Sequence, residues 1–189
     1  ANNIWHAAGI HLWVESIVEE EPARIDDPHI SSLGSVDELL PLRHLKNRNK
    51  EMFHVYYVGK MGVNGIFIGQ DAVFVQQAAN LLPVEGGIDE PLPRVTSHEL
   101  GHGLGLNHRQ DRTNLMASGT TGTSLNEGEI ATSRQTAFSS PWTFSTEAFL
   151  KQSELLADNG KKSESLKRAL EFASLPGESP LKVRAKKLV

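Results

Sequence analysis

The chain has 189 residues, 39% of them apolar and 22% charged, the balance of a globular protein long enough to bury a core without disulfide staples. Its net charge of −4 is too mild to point to nucleic acid, and no apolar run of about eighteen residues is present to span a membrane. Cysteine is absent, which excludes disulfides, thiolate zinc sites and a cysteine nucleophile together.

No signal peptide is visible, since Ala1 opens directly onto polar and helical sequence. Either one was removed or the chain is a piece of something longer. Charge is unevenly spread: residues 151–189 carry nine Lys and Arg against five Asp and Glu, and the preceding 150 carry ten against eighteen. This shift suggests a boundary near Pro141–Thr146, with a domain over 1–140 and a helical extension and tail over 141–189. The basic bias of the extension is read as a solvated helical face.

In chain order, residues 3–8 (NIWHAA) read as the end of a helix, with Gly9 as its stop. His11–Val18 alternates and predicts a strand buried on both sides. Trp5 and Trp13 are read as core. Glu19–Pro28 is an acidic loop. Ser35 and Glu38 form a capping box for a helix through Leu45, with Pro41 as a kink or restart. Met52–Val58 predicts a strand, and Ile66–Ile68 and Ala72–Gln76 two short ones. Asn80–Asp89 is a loop. Pro91 and Pro93 suit the first turn of a helix running from about Leu92 to Leu104. Ser124 and Glu127 predict a second capping box, opening a helix to about Ala137. Two further helices are expected over Thr146–Asp158 and Ser163–Ser174, joined at Asn159-Gly160 as a hairpin. Leu166, Ala169, Leu170 and Ala173 form an apolar stripe on the second. Pro176 onward reads as a tail.

The chemistry concentrates in residues 98–108, HELGHGLGLNH. His98 and His102 are four apart and share one helix face, so both can reach one ion. Glu99 follows the first of them and points into the cleft, where it can take a proton from an activated water. Gly105 accepts positive φ at no steric cost, ends the helix and turns the chain, so that His108 swings back as a third ligand. Three imidazoles leave a fourth position open, as in a catalytic zinc site and unlike a closed structural one. Nitrogen ligands without cysteine suit zinc over an iron–sulfur cluster.

The pattern H-E-x-x-H-x-x-G-x-x-H, with Met116 eight residues later in NLMASG, resembles the metzincin zinc metallopeptidases, whose signature is this motif followed by a Met-turn. The resemblance is strict over residues 98–116 and extends in layout over about 2–140. It implies an α+β, metzincin-like zincin fold: a small twisted mixed sheet packed on the active-site helix, here lacking the first strand, with the C-terminal hairpin appended. It implies one catalytic Zn²⁺ on His98, His102 and His108, Glu99 as general base, and Gly105 and Met116 as structural residues at the site. The expected activity is that of a zinc-dependent endopeptidase. Its protein or peptide substrate would lie extended along Ile66–Ile68 as an added strand. Gly119–Thr123 would line the substrate pocket or form a bare flexible loop. Arg109, after the third histidine, leaves the subfamily unassigned, and no tyrosine closely follows Met116 to serve as a further ligand.

The family habit places such an enzyme outside the cell or in the periplasm. Calcium, which stabilises many relatives, would have Asp71, Asp89 and the Glu19–Asp27 loop available, but without EF-hand spacing plain solvation is the favoured reading. His6, His11, His29, His44 and His54 are read as structural or surface residues. The rival readings are a metzincin-like module that binds peptides without cutting them, a truncated module whose C-terminal helices are the interaction element, and a zinc hydrolase of a non-peptide amide. Substrate identity, substrate-binding residues and oligomeric state are not encoded legibly.

Overall fold

The computed structural model describes residues 1–19, 21, 39–40, 47–69, 71–175 and 179–188. The chain divides into two units, Ala1–Trp142 and Thr143–Val189. Among the described residues it is an α+β protein with a small three-stranded mixed sheet.

In the first unit, α1 (Asn2–Trp5) tightens into a 3-10 turn, His6–Ala8, and stops at Gly9 with φ of 66°, as the glycine predicts. Ile4, Trp5 and Ala8 are buried against Leu100, Leu104, Leu106, Leu115 and Met116. The short N-terminal helix thus forms part of the floor beneath the segment that carries the motif.

The strand expected over His11–Val18 does not form. Val14, Ile17 and Val18 are exposed, Ile17 at 92%. Alternation makes a strand only where a neighbour accepts its ladder, and here a side chain intervenes. Asn2 Oδ1 accepts the Leu12 N–H at 2.7 Å, and Asn2 Nδ2 donates to the Leu12 carbonyl at 3.2 Å. Trp5 is core, whereas Trp13 is half-buried and donates its indole N–H to Glu15. The Ser35–Glu38 capping box with Pro41, most of the acidic loop, His29 and His44 lie outside the described residues.

The sheet has the order β1-β3-β2, from β1 (His54–Val58), β2 (Gly65–Phe67) and β3 (Ala72–Gln76). β1 runs parallel to β3, with Tyr56 opposite Phe74, and β2 runs antiparallel to it, with Ile66 opposite Phe74. The unbroken apolar run Ala72–Val75 is wholly buried, as expected of a central strand covered on both faces. Val73 and Val75 pack on Val95 and Ala79, while Ala72 and Phe74 pack on Leu39, Met61 and Ile68.

Val95 belongs to α2 (Pro91–Gly103), whose prolines sit in its first turn and whose residues Arg94–Gly101 are buried. After an irregular stretch comes α3 (Glu127–Ser139). Its capping box is Asn126 with Glu129, not Ser124 with Glu127. Ser124 is already committed elsewhere: its N–H and hydroxyl both donate to Thr113 O, and its carbonyl accepts the Leu115 N–H.

The second unit holds α4 (Thr146–Asp158), capped by the Ser145 hydroxyl, then a turn through Gly160 at φ of 79° and α5 (Lys162–Ser174). The expected tail instead contains α6 (Pro180–Lys186), so the hairpin becomes a three-helix unit cored by Leu150, Phe172 and Ala185. The face of α5 that is covered packs against both neighbouring helices. Ser165, Ala169 and Phe172 are buried, while Leu166 and Leu170 of the expected stripe are exposed. Among the described residues no helix is long and apolar enough to cross a membrane.

Candidate metal centre

His98 and His102 lie one turn apart on α2, the first buried and the second half-buried. The helix then closes in a way that returns the chain to them. Leu106 N–H donates to Gly101 O at 2.9 Å and Gly105 N–H to His102 O at 3.0 Å, with Gly105 at φ of 83°. This is the Schellman pair of bonds, and it needs the left-handed residue that glycine supplies. His108, three residues on, brings its Nε2 to 3.2 Å from His98 Nε2 and 3.1 Å from His102 Nε2.

The donor chemistry can be worked out from the partners. His98 Nδ1 lies 2.8 Å from Leu115 O, and His102 Nδ1 lies 2.9 Å from Leu106 O. A carbonyl only accepts, so in the neutral rings both protons sit on Nδ1 and both Nε2 atoms carry lone pairs. A lone His108 N–H cannot satisfy both. These lone pairs converge where a cation would relieve them, and tetrahedral zinc with bonds of about 2.0–2.1 Å requires nitrogens about 3.3 Å apart. The three side chains therefore fit a metal ion, with His98 and His102 oriented from behind by backbone carbonyls, the usual support for ligating histidines.

Electrostatics keep the site ready. Burial lowers the His98 pKa to about 4, helped by Arg94 and the other two histidines and opposed by the Leu115 carbonyl. Burial likewise lowers that of His102. Neutral imidazoles are the form that binds metal.

Glu99 is 6% exposed, and burial raises its pKa to about 7, against the opposing pull of the Phe67 N–H and Arg94. Its carboxylate packs on the edge strand β2. A Cβ on Gly65 would fall 2.5 Å from Val95 Cγ1 and 2.9 Å from Glu99 Oε1. Gly65→Ala is therefore expected to lower stability by about 1–3 kcal/mol in denaturant unfolding, the range for overpacking a tight interior.

A raised carboxyl pKa also makes a signed prediction. The folded state holds a proton that the unfolded state releases between pH 4.5 and about 7, so Glu99 costs stability as pH rises through that window. The gap corresponds to about 3 kcal/mol. Metal-free Glu99→Gln should thus be more stable than the metal-free parent at pH 8, with the difference closing below pH 4.5. Chelator-treated samples unfolded in urea at the two pH values would show it.

Met116 is fully buried beneath the site, and a Cβ on Gly101 would lie 2.5 Å from its sulfur. Its N–H donates to Asn114 Oδ1 at 2.6 Å and its carbonyl accepts the Arg109 N–H at 3.0 Å.

Two residues escape the motif. Arg94, 1% exposed, sits one turn before His98 and donates Nε to Gly122 O at 2.5 Å and Nη2 to Ala117 O at 2.7 Å. Burial lowers its pKa to about 10, against the pull of Glu99. Thr121 N–H and Leu82 N–H add backbone bonds to Leu82 O and Gly119 O. Gly119–Thr123 is thus bonded to Leu82 and Arg94 through Gly119, Thr121 and Gly122. The second residue is Glu129, the acid of the capping box, which lies two residues beyond the box expected from the sequence. In sequence, a charged residue four before His98 and an N-x-x-E after the methionine were the available signals.

Among the described residues, His98, His102 and His108 are brought together as a group that could hold a metal ion. Asp71 instead pairs with Arg48 at 3.0 Å. The His54 ring bonds the Asn49 backbone, and His6 lies in the exposed part of the 3-10 turn. Comparison of the chain with models of protein families, with curated proteins and with solved structures finds no match.

Proposed function

We propose that the chain is a zinc-dependent endopeptidase of metzincin type. The observation that carries this reading is the meeting of three imidazole Nε2 atoms, with a buried glutamate, Glu99, directly after the first of these histidines on its helix. The Met-turn packing of Met116 beneath that helix supports it. Zinc, when bound, supplies Lewis-acid activation of a water and of the substrate carbonyl. His98, His102 and His108 hold the ion, and their Nδ1 bonds fix the direction of two of the rings.

Glu99 takes a proton from the attacking water and later gives it to the leaving amine. Its pKa of about 7 suits a group that must do both near neutral pH. The substrate is held extended on β2, which is an edge of the sheet and touches Glu99 through Gly65. An added strand there would lay its backbone beside the base.

The test is cleavage of an unfolded protein mixture by the zinc-loaded chain. Cutting that disappears with a chelator and in Glu99→Gln is the expected result. A folded, zinc-bound chain that cuts nothing would replace this reading with a peptide-binding module.

A further inference from the structure

Two of the three imidazoles trace back to a single carboxylate that lies outside the motif. Glu129 is 2% exposed. Its Oε1 accepts from Arg109 Nε at 2.8 Å, and its Oε2 accepts from Asn114 Nδ2 at 2.8 Å and from the Asn126 N–H at 2.9 Å. Arg109 directly follows His108. Asn114 directly precedes Leu115, whose carbonyl holds His98 Nδ1. The same Asn114 accepts the Met116 N–H, and Met116 O accepts the Arg109 N–H. The segment 109–116 is therefore a closed ring, pinned from one side by one carboxylate at the first turn of α3.

Burial pushes the Glu129 carboxyl up, but the bonds from Asn126, Asn114 and Arg109 outweigh it and hold the group below the usual carboxylate range. It is an anion at neutral pH. An anion this enclosed is retained only where its hydrogen bonds are satisfied, so its geometry is rigid.

We propose that Glu129 is the positioning residue of the three-histidine site, holding His108 through Arg109 and His98 through Asn114 and the Leu115 carbonyl. Both rings then present Nε2 to one ion. This rests on reading the histidines as a metal site. Groups that orient metal ligands from behind change metal affinity by about 10–100-fold when removed. Here the group acts at one more remove, yet on two ligands together.

Zinc affinity of the full chain, read by competition with a chromophoric chelator, tests it. Glu129→Gln keeps the shape but places an amide N–H₂ against a donor, and should weaken zinc binding by about 10–100-fold. Arg109→Ala should weaken it by about tenfold, and Arg109→Lys should recover part of that loss. Arg134→Ala removes a different bond of α3, the 2.7 Å one from Arg134 Nε to Ala8 O. It should lower the melting temperature and leave zinc affinity unchanged.

A folded Glu129→Gln that binds zinc as tightly as the parent overturns the proposal. So does an equal loss of affinity in Arg134→Ala, which would mark a general loss of stability. If Glu129→Gln does not fold, Arg109→Ala decides, because its side chain is 52% exposed and its removal spares the core; unchanged affinity there also overturns it. A parent chain that binds zinc but cuts no peptide would remove the peptidase reading and leave this inference to the affinity measurements. A parent that binds no zinc removes both.

Discussion

Glu99→Gln is expected to bind zinc as fully as the parent and to hydrolyse peptides about 10²–10⁴-fold more slowly, the contribution of a positioned general base. The side chain is nearly isosteric, and it is not one of the three converging nitrogens. What changes is the ability to carry a proton. Glutamine still accepts from the Phe67 N–H and still fills the space beside Gly65, so the edge strand should keep its place. Zinc content by atomic absorption, with initial rates on a quenched peptide, separates the two effects. Full turnover in this variant would remove Glu99 from its role.

The second large effect concerns the ion itself. His108→Ala should lose more than the about 10–100-fold in zinc affinity typical of removing a supporting group, because a direct ligand is gone and two nitrogens remain. It is a cleaner variant than His98→Ala. His108 lies on the surface, whereas His98 is 6% exposed and bonds the Leu115 carbonyl, so its removal would also loosen the segment under the site. The turn at Gly105 is closed by its own backbone bonds and should survive in His108→Ala. Dialysis against a zinc buffer followed by metal analysis reads the outcome. Undiminished zinc in a folded sample would mean that another side chain is the third ligand.

The two substitutions also divide the site by chemistry. One is expected to remove proton transfer and keep the metal; the other is expected to remove the metal and keep the carboxylate. In the metal-free state the carboxylate is a burden, since burial raises its pKa to about 7. Stability given up at a buried ionisable group is a common feature of sites built for reaction.

The parts of this protein readable from its sequence are those governed by a few neighbouring residues. The four-residue spacing of His98 and His102 is a property of any helix. Gly105 marks a left-handed turn wherever it ends one. The helix Thr146–Asp158 begins at a serine cap and ends before Asn159-Gly160 because caps and turns act within one turn of backbone. Ala72–Gln76 reads as a short strand from its own β-branched and aromatic residues, and its central place in the sheet is seen only in the structure.

What the sequence could not decide depends on partners far along the chain. His11–Val18 alternates as a strand does, but Asn2 takes the backbone groups of Leu12, and Ile17 ends in solvent. The apolar stripe of α5 was visible, yet the face that is buried is the one packed with Leu150 of α4 and Ala185 of α6. Ser124 and Asn126 both precede a glutamate by three, and only the bridge of Ser124 to Thr113 and Leu115 leaves Asn126 as the cap. The roles of Arg94 and Glu129 belong to the same class. A charged side chain on a helix reads as solvated, and it is the contact with distant carbonyls and amides that keeps each of them buried and bonded. Spacing along a helix is local and survives in the sequence, whereas burial and hydrogen-bond satisfaction are properties of the packed chain and were decided only in three dimensions.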